Sequence, residues 1–237
     1  MTETRAPFDR EHGIIFPPKV RRSNYAYLFA GLSLLLLVGP AFEQVLSPSV
    51  SAATTTICFL GTIMIGIWTL IDSTTGFRIG LALAAIAIVS SCLEWWAEMP
   101  VFGFVQLGTV MAFLVLSIYH AGRDVIFTNV VDINRLVGAM CIYEMIGIMW
   151  ALFYTCIVDY SSGAFADDAL NASSSFFEFV YYSFVTLTTL GYGDITPAGS
   201  FTKALAYMEA LVGQLYVAVL VAGLVGAHLA GRRQDKE

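Results

Sequence analysis

Residues 186–197 read TLTTLGYGDITP, with Gly191 and Gly193 at alternate positions around Tyr192, threonines ahead of them and Asp194 directly behind. Consecutive backbone carbonyls can point one way only if alternate residues adopt dihedrals that a side chain ordinarily forbids, and glycine takes φ above zero without penalty. A strand built this way is a row of oxygens. Four copies around an axis would form stacked cages that replace the water shell of a dehydrated cation, with no charged side chain involved. The chemistry on offer is ion coordination by main chain.

The row needs something to hold it. From Ser175 to Thr188 the chain is apolar and aromatic, long enough for a helix of about 14 residues spanning about 21 Å, which is too short to cross a bilayer. Ser175 followed three residues later by Glu178 is a capping-box pattern, so this helix starts at the outer surface and its C-terminus points into the membrane. Non-helical backbone at that depth survives only where protein buries it or it lines water. A half-helix followed by an extended return is therefore a re-entrant loop, and the negative end of the helix dipole, about half a charge, faces the row of oxygens.

The rest of the chain supplies the membrane. Of 237 residues, 57% are hydrophobic and 13% charged, against about a quarter charged in a soluble domain. Six blocks of roughly 20 apolar residues follow one another, each the length a transmembrane helix requires: 25–46, 54–71, 78–96, 101–120, 136–158 and 200–230. The expected fold is an all-α membrane protein, with six transmembrane helices and the re-entrant element between the fifth and sixth. Lys and Arg concentrate on cytoplasmic loops. Five lie before Tyr25 (Arg5, Arg10, Lys19, Arg21, Arg22) and three after Ala230 (Arg232, Arg233, Lys236), while the gaps between spans alternate poor and richer. Both termini are thus expected in the cytoplasm and the glycine motif on the outside. The segment 1–24 is too long and too charged for the front of a signal peptide and is expected as a cytoplasmic tail.

The TTLGYGD stretch resembles the signature of potassium channels, TVGYG with a following Asp, the sequence that the selectivity filters of that family share. The resemblance covers about Leu136 to Ala230. It implies that Thr189, Leu190, Gly191 and Tyr192 supply carbonyls to K⁺, with the Thr189 hydroxyl at the innermost site. Gly193 would complete the outer end and Asp194 would pin the strand from behind. It also implies a homotetramer in a lipid bilayer, passive K⁺ permeation, and no organic cofactor. Four positions depart from the family pattern: Leu190 stands for the commoner Val, Tyr181 and Tyr182 stand where many members have tryptophans, and Val185 stands where some carry a buried Glu. A tyrosine hydroxyl of the pair could reach Asp194 as an indole N–H would, and Tyr182 is assigned to filter support. Gly213, 19 residues after Asp194, falls where members often have a hinge glycine. Gln214, Val217, Ala218 and Val221 then share one helical face that would line a water-filled cavity. Small residues at 218, 222, 226 and 230 would let helices approach closely.

The expected organisation is a tail (1–24), a four-helix bundle (25–120), a linker (121–135), a pore domain (136–230) and a short tail (231–237). Voltage-gated relatives carry Arg or Lys every third residue in their fourth helix, but Val101 to Tyr119 has none, so steep voltage gating is not expected. Glu144 and Glu209 lie well inside their spans, Glu209 as a brace behind the filter and Glu144 as a polar-network site; His228 would form a ring near the cytoplasmic end. The net charge of −6 falls largely on outer loops (Glu43, Glu94, Glu98, Asp159, Asp167, Asp168, Glu178, Asp194), an acidic rim that attracts cations. Cys58, Cys92, Cys141 and Cys156 have no metal-like spacing and are expected as buried, reduced thiols. No basic patch supports nucleic-acid binding. The small extramembrane share suggests a bacterial plasma membrane. Two rivals remain: a non-conducting channel-like subunit, and a GxGD intramembrane aspartyl protease that would pair Asp194 with Asp159.

Overall fold

The structure is a computed structural model that describes residues 25–45, 60–61, 63–64, 66–67, 74–97, 100–126, 133–161, 163–166, 169–171 and 174–234. Six helices are complete within it: α1 (Tyr25–Val45), α2 (Thr74–Ala97), α3 (Pro100–Ile126), α4 (Ile133–Tyr160), α5 (Phe176–Leu187) and α6 (Ser200–Gln234). All but α5 are long and apolar enough to cross a bilayer. The span expected over 54–71 lies largely outside the described residues, although those described between 60 and 67 are helical. No strand occurs among the described residues beyond a single bridge between Phe165 and Pro197. The molecule is an all-α membrane protein.

Helix α4 is the hub. It packs against α1, α3, α5 and α6, and its buried side chains run along most of its length, from Cys141 through Met145 and Ile148 to Tyr154 and Val158. The other spans turn broad apolar faces outward. Leu37 is 76% and Trp96 81% exposed on the single chain, a pattern that water would penalise and a bilayer does not. Buried side chains form two clusters. One gathers α1, α3 and α4 around Leu28, Leu32, Phe113 and Met145. The second packs Leu35, Tyr154, Phe165, Phe177 and Tyr182 around the C-terminal end of α4 and the short helix α5.

Several helix limits differ from the expectation. α2 begins at Thr74, so Arg78 sits inside it, and α3 continues past His120 to Ile126. Arg123 in the last turn of α3 suits the negative end of the helix dipole, which favours the extension. With α4 starting at Ile133, the linker expected over 121–135 is helical at both ends. α6 runs four residues past Ala230. Of the cysteines expected to be buried, Cys141 is, Cys156 is half-buried and Cys92 is exposed, all three with free thiols; Cys58 lies outside the described residues. Cys92 sits on an exposed face of α2.

At the start of α1, Tyr25 ties the first helix to the end of α3 and the start of α4. Its amide donates to Asn134 Oδ1 at 3.1 Å and its hydroxyl to Asp124 Oδ2 at 2.9 Å. Midway along α1, Ser33 Oγ donates to Glu144 Oε1 at 2.8 Å. The polar partner expected for Glu144 thus comes from α1.

Candidate functional site: a re-entrant helix and its strand

Helix α5 has 12 residues, Phe176 to Leu187, about 18 Å of rise, so it ends inside the membrane. Ser175 caps it. Its hydroxyl accepts from the Phe177 amide at 3.0 Å, and Glu178 Oε2 accepts from the Ser175 amide at 3.1 Å, so both halves of the capping box are made. Phe177, Phe179, Tyr182 and Ser183 face inward and fix the roll of the helix. Ser183 Oγ lies 2.8 Å from the Gly147 carbonyl oxygen of α4.

At the C-terminus the chain turns back on the helix. The amides of Leu190 and Gly191 both donate to the Val185 carbonyl, at 2.9 and 3.2 Å, and that of Thr189 donates to Thr186 O at 2.9 Å. In a trans peptide the carbonyl of one residue lies opposite the N–H of the next. With the amides of 190 and 191 both aimed at α5, the carbonyls of Thr189 and Leu190 are directed away from it, side by side. The backbone then repeats with period two: Thr189, Gly191 and Gly193 have φ of 59°, 56° and 81°. Glycine accepts this at positions 191 and 193. Thr189 is β-branched and holds the same conformation at a strain of about 1–3 kcal/mol, which the sequence did not reveal. Residues 188–194 are all exposed on the single chain, including the apolar side chains of Leu190 (55%) and Tyr192 (66%).

Asp194 closes the strand. Its Oδ2 accepts from the Tyr181 hydroxyl at 2.6 Å and its Oδ1 from the Ile195 amide at 3.0 Å. The Tyr181 hydroxyl is the main reason the carboxyl is held below the usual carboxylate range. The tyrosine that reaches Asp194 is therefore Tyr181. Tyr182, named above for filter support, is buried on the other side of α5, edge-on to Tyr154 and Phe165 with ring centroids 4.9 Å from each. A helix places neighbouring residues about 100° apart, so only one of the pair can face the strand. Beyond Asp194 the chain is stitched to the loop before α5. Ala166 N donates to Thr196 O, and Ala198 N and Gly199 N both donate to Ala164 O, at 2.9, 2.9 and 3.2 Å.

Helix α6 backs the inner end of the strand. Gly213 is seated so closely on the end of α5 that a Cβ would overlap the Leu187 carbonyl oxygen. The same oxygen accepts from the Tyr143 hydroxyl at 3.3 Å. Gln214 Nε2 donates to Thr189 Oγ1 at 3.2 Å, joining a residue assigned to the cavity wall directly to the strand. Val217, Ala218 and Val221 are exposed on α6. His228 belongs to the last turns of α6, but its side chain lies outside the described residues. Glu209 is fully buried between α4, α5 and α6, with Tyr154 Oη 2.7 Å from Oε2 and Ser183 Oγ 2.5 Å from Oε1. Neither partner was foreseen, since they lie 55 and 26 residues away. Of the acidic rim, Asp159, Glu178 and Asp194 are exposed; the side chains of Glu43, Glu94, Glu98, Asp167 and Asp168 fall outside the described residues.

The family model described as "Ion channel" matches residues 137–227, the segment that holds α5, its strand and the two helices that flank them. Over 88 residues the chain is 36% identical to "Two pore potassium channel a" of Oryza sativa subsp. japonica, covering 37% of this chain and 22% of that protein. Over 46 residues it is 44% identical to "Two-pore potassium channel 3" of Arabidopsis thaliana, covering 19% of this chain and 11% of that protein. The matched part is thus less than a quarter of the length of either relative. Both relatives are named as channels, and Asp194 sits in a bend outside any helix rather than within one, as the aspartyl protease alternative would need. The segment that carries the glycine motif is thus similar to an ion-channel family model and to two potassium channels.

Proposed function

We propose that this protein forms a K⁺-selective pore, that four copies assemble around the strand 189–193, and that K⁺ crosses passively down its electrochemical gradient. The observation that carries the reading is the alternation of positive φ at 189, 191 and 193, coupled to amides turned back toward α5. That combination leaves carbonyl oxygens on the open side of the strand, where oxygens replacing a hydration shell must be. One strand is a quarter of a cage. The exposure of Leu190 and Tyr192, and the bare face of α6 carrying Leu215, Val217 and Val221, fit a surface that other copies would cover.

In this reading Thr189, Leu190, Gly191 and Tyr192 coordinate the ion, Gly193 and Asp194 shape the outer end, and Val217, Ala218 and Val221 line the inner cavity. The pore domain occupies 136–230 and the preceding helices form a flanking bundle. Residues 101–119 of α3 carry no Lys or Arg, so opening is not steep in voltage. Both chain ends face the cytoplasm, and the strand faces out.

Purified protein in liposomes, given K⁺ and Na⁺ gradients in turn, tests this. Selective K⁺ flux is expected, and its loss in Gly191→Ala and in Tyr192→Ala. Equal K⁺ and Na⁺ flux, or a particle that is not fourfold, would refute it.

A further inference from the structure

Three oxygen-to-oxygen contacts meet at Glu209 and its neighbour. Tyr154 Oη of α4 is 2.7 Å from Glu209 Oε2, Ser183 Oγ of α5 is 2.5 Å from Oε1, and the same Ser183 Oγ is 2.8 Å from the Gly147 carbonyl oxygen. Each separation is within hydrogen-bonding range, and at 2.5–2.8 Å each is short enough to call for a hydrogen pointing along it rather than one shared between two acceptors. Tyr154 brings one and Ser183 brings one; a backbone carbonyl brings none. Three bonds drawn from two hydroxyl hydrogens leave a deficit of one.

We infer that Glu209 is a neutral carboxylic acid, and that its proton completes a chain running from Tyr154 through Glu209 and Ser183 to Gly147, making Glu209 a positioning residue for the strand. Its Oε2 accepts from Tyr154, its hydroxyl donates to Ser183, and Ser183 donates to Gly147. The ionised alternative fails at either end of Ser183. If Ser183 gave its hydrogen to the carboxylate, its oxygen would face the Gly147 carbonyl across 2.8 Å with only lone pairs between them. If it gave the hydrogen to Gly147, it would face a carboxylate oxygen across 2.5 Å in the same way. Glu209 is also 0% exposed and its bonded partners are uncharged hydroxyls, a setting in which a carboxylate would go uncompensated.

The acid joins three helices at one point, and one of them is α5, whose C-terminal turn sets the strand. Its role in positioning rests on the pore reading above; its protonation does not. The test separates the two. Wild-type and Glu209→Gln protein in lipid are compared by infrared difference spectroscopy in water and in heavy water. A carboxylic acid C=O band is expected that shifts on deuteration and vanishes in the variant. Ser183→Ala is expected to keep the band but move it, because the acid loses its acceptor. Carboxylate bands in place of that signal, or a band that Ser183→Ala leaves unmoved, would overturn the inference. Glu209→Leu deletes the donor and the acceptor that join Tyr154 to Ser183, so K⁺ over Na⁺ preference should fall, and Glu209→Gln, whose amide keeps one donor and one acceptor, should restore much of it. Unchanged preference in Glu209→Leu would overturn the positioning role. A wild-type protein that shows the band but no K⁺ flux would refute the pore while leaving the protonated acid standing.

Discussion

Gly213→Ala would place a methyl group where α6 rests on the carbonyl end of α5. The new Cβ would lie 3.0 Å from the Leu187 carbonyl carbon and 3.1 Å from Leu187 Cδ1, and would overlap the Leu187 oxygen. Carbon atoms in contact sit about 3.5–4.0 Å apart, so α6 must withdraw by about 0.5–1 Å to clear the carbons alone. No rotamer change relieves the overlap, because the obstacle is backbone. Taking the upper end of the overpacking range, about 3 kcal/mol, less about 1 kcal/mol gained by replacing a helical glycine, the net loss is about 2 kcal/mol per chain. Gly108→Ala on α3 is the control: nothing lies within 4 Å of its Cβ position, so it should keep the gain of about 0.5–1 kcal/mol. Denaturation midpoints of the two variants in lipid or mild detergent should therefore move in opposite directions. Because Thr189 begins the strand two residues after Leu187, Gly213→Ala should also lower K⁺ over Na⁺ preference in the liposome assay. If Gly213→Ala were as stable as Gly108→Ala and equally selective, the close seating of α6 on α5 would be wrong.

Two further outcomes concern the ends of the strand. The Asp194 carboxyl is depressed by the Tyr181 hydroxyl, so the ionised form that accepts that bond is present at neutral pH and is lost only as external pH falls through the lowered value. Tyr181→Phe should raise the pH at which selective flux decays toward the ordinary aspartate value of about 3.9, whereas Tyr182→Phe should leave it in place; equal shifts in both would count against the assignment. Gln214→Leu removes the amide that donates to Thr189 Oγ1, a hydrogen bond worth about 0.5–1.5 kcal/mol, so K⁺ flux should fall about 2–10-fold with the yield of folded protein unchanged. Unaltered flux in Gln214→Leu would show that Thr189 holds its geometry without that contact.

What could be read in advance was local. The capping box at Ser175 and Glu178 fixed where α5 begins, and the spacing of Gly191 and Gly193 announced an alternating backbone. Both depend on residues within a few positions of each other. Thr189 escaped notice because nothing in a threonine advertises positive φ; the conformation is imposed by the amides of 190 and 191 reaching for Val185. The choice between Tyr181 and Tyr182 depended on the roll of a short helix, which the burial of Phe179, Tyr182 and Ser183 decides. The partners of Glu209 and the seating of Gly213 arise from three helices meeting, and no pattern within one helix encodes such a meeting. Apolar length made the membrane spans plain, but it overlooked the charged turns that extend α3 and α6 beyond the apolar blocks.

The antiparallel bridge between Phe165 and Pro197, with Ala164 O taking two amides from the far side, closes the backbone into a ring that contains α5 and the strand. A pull on the outer end of α6 meets that closure at Pro197 before it reaches Tyr192. On the pore reading, α6 beyond Gln214 can bend while the ring keeps its shape, whereas the stretch bearing Gly213 and Gln214 moves with the strand it touches.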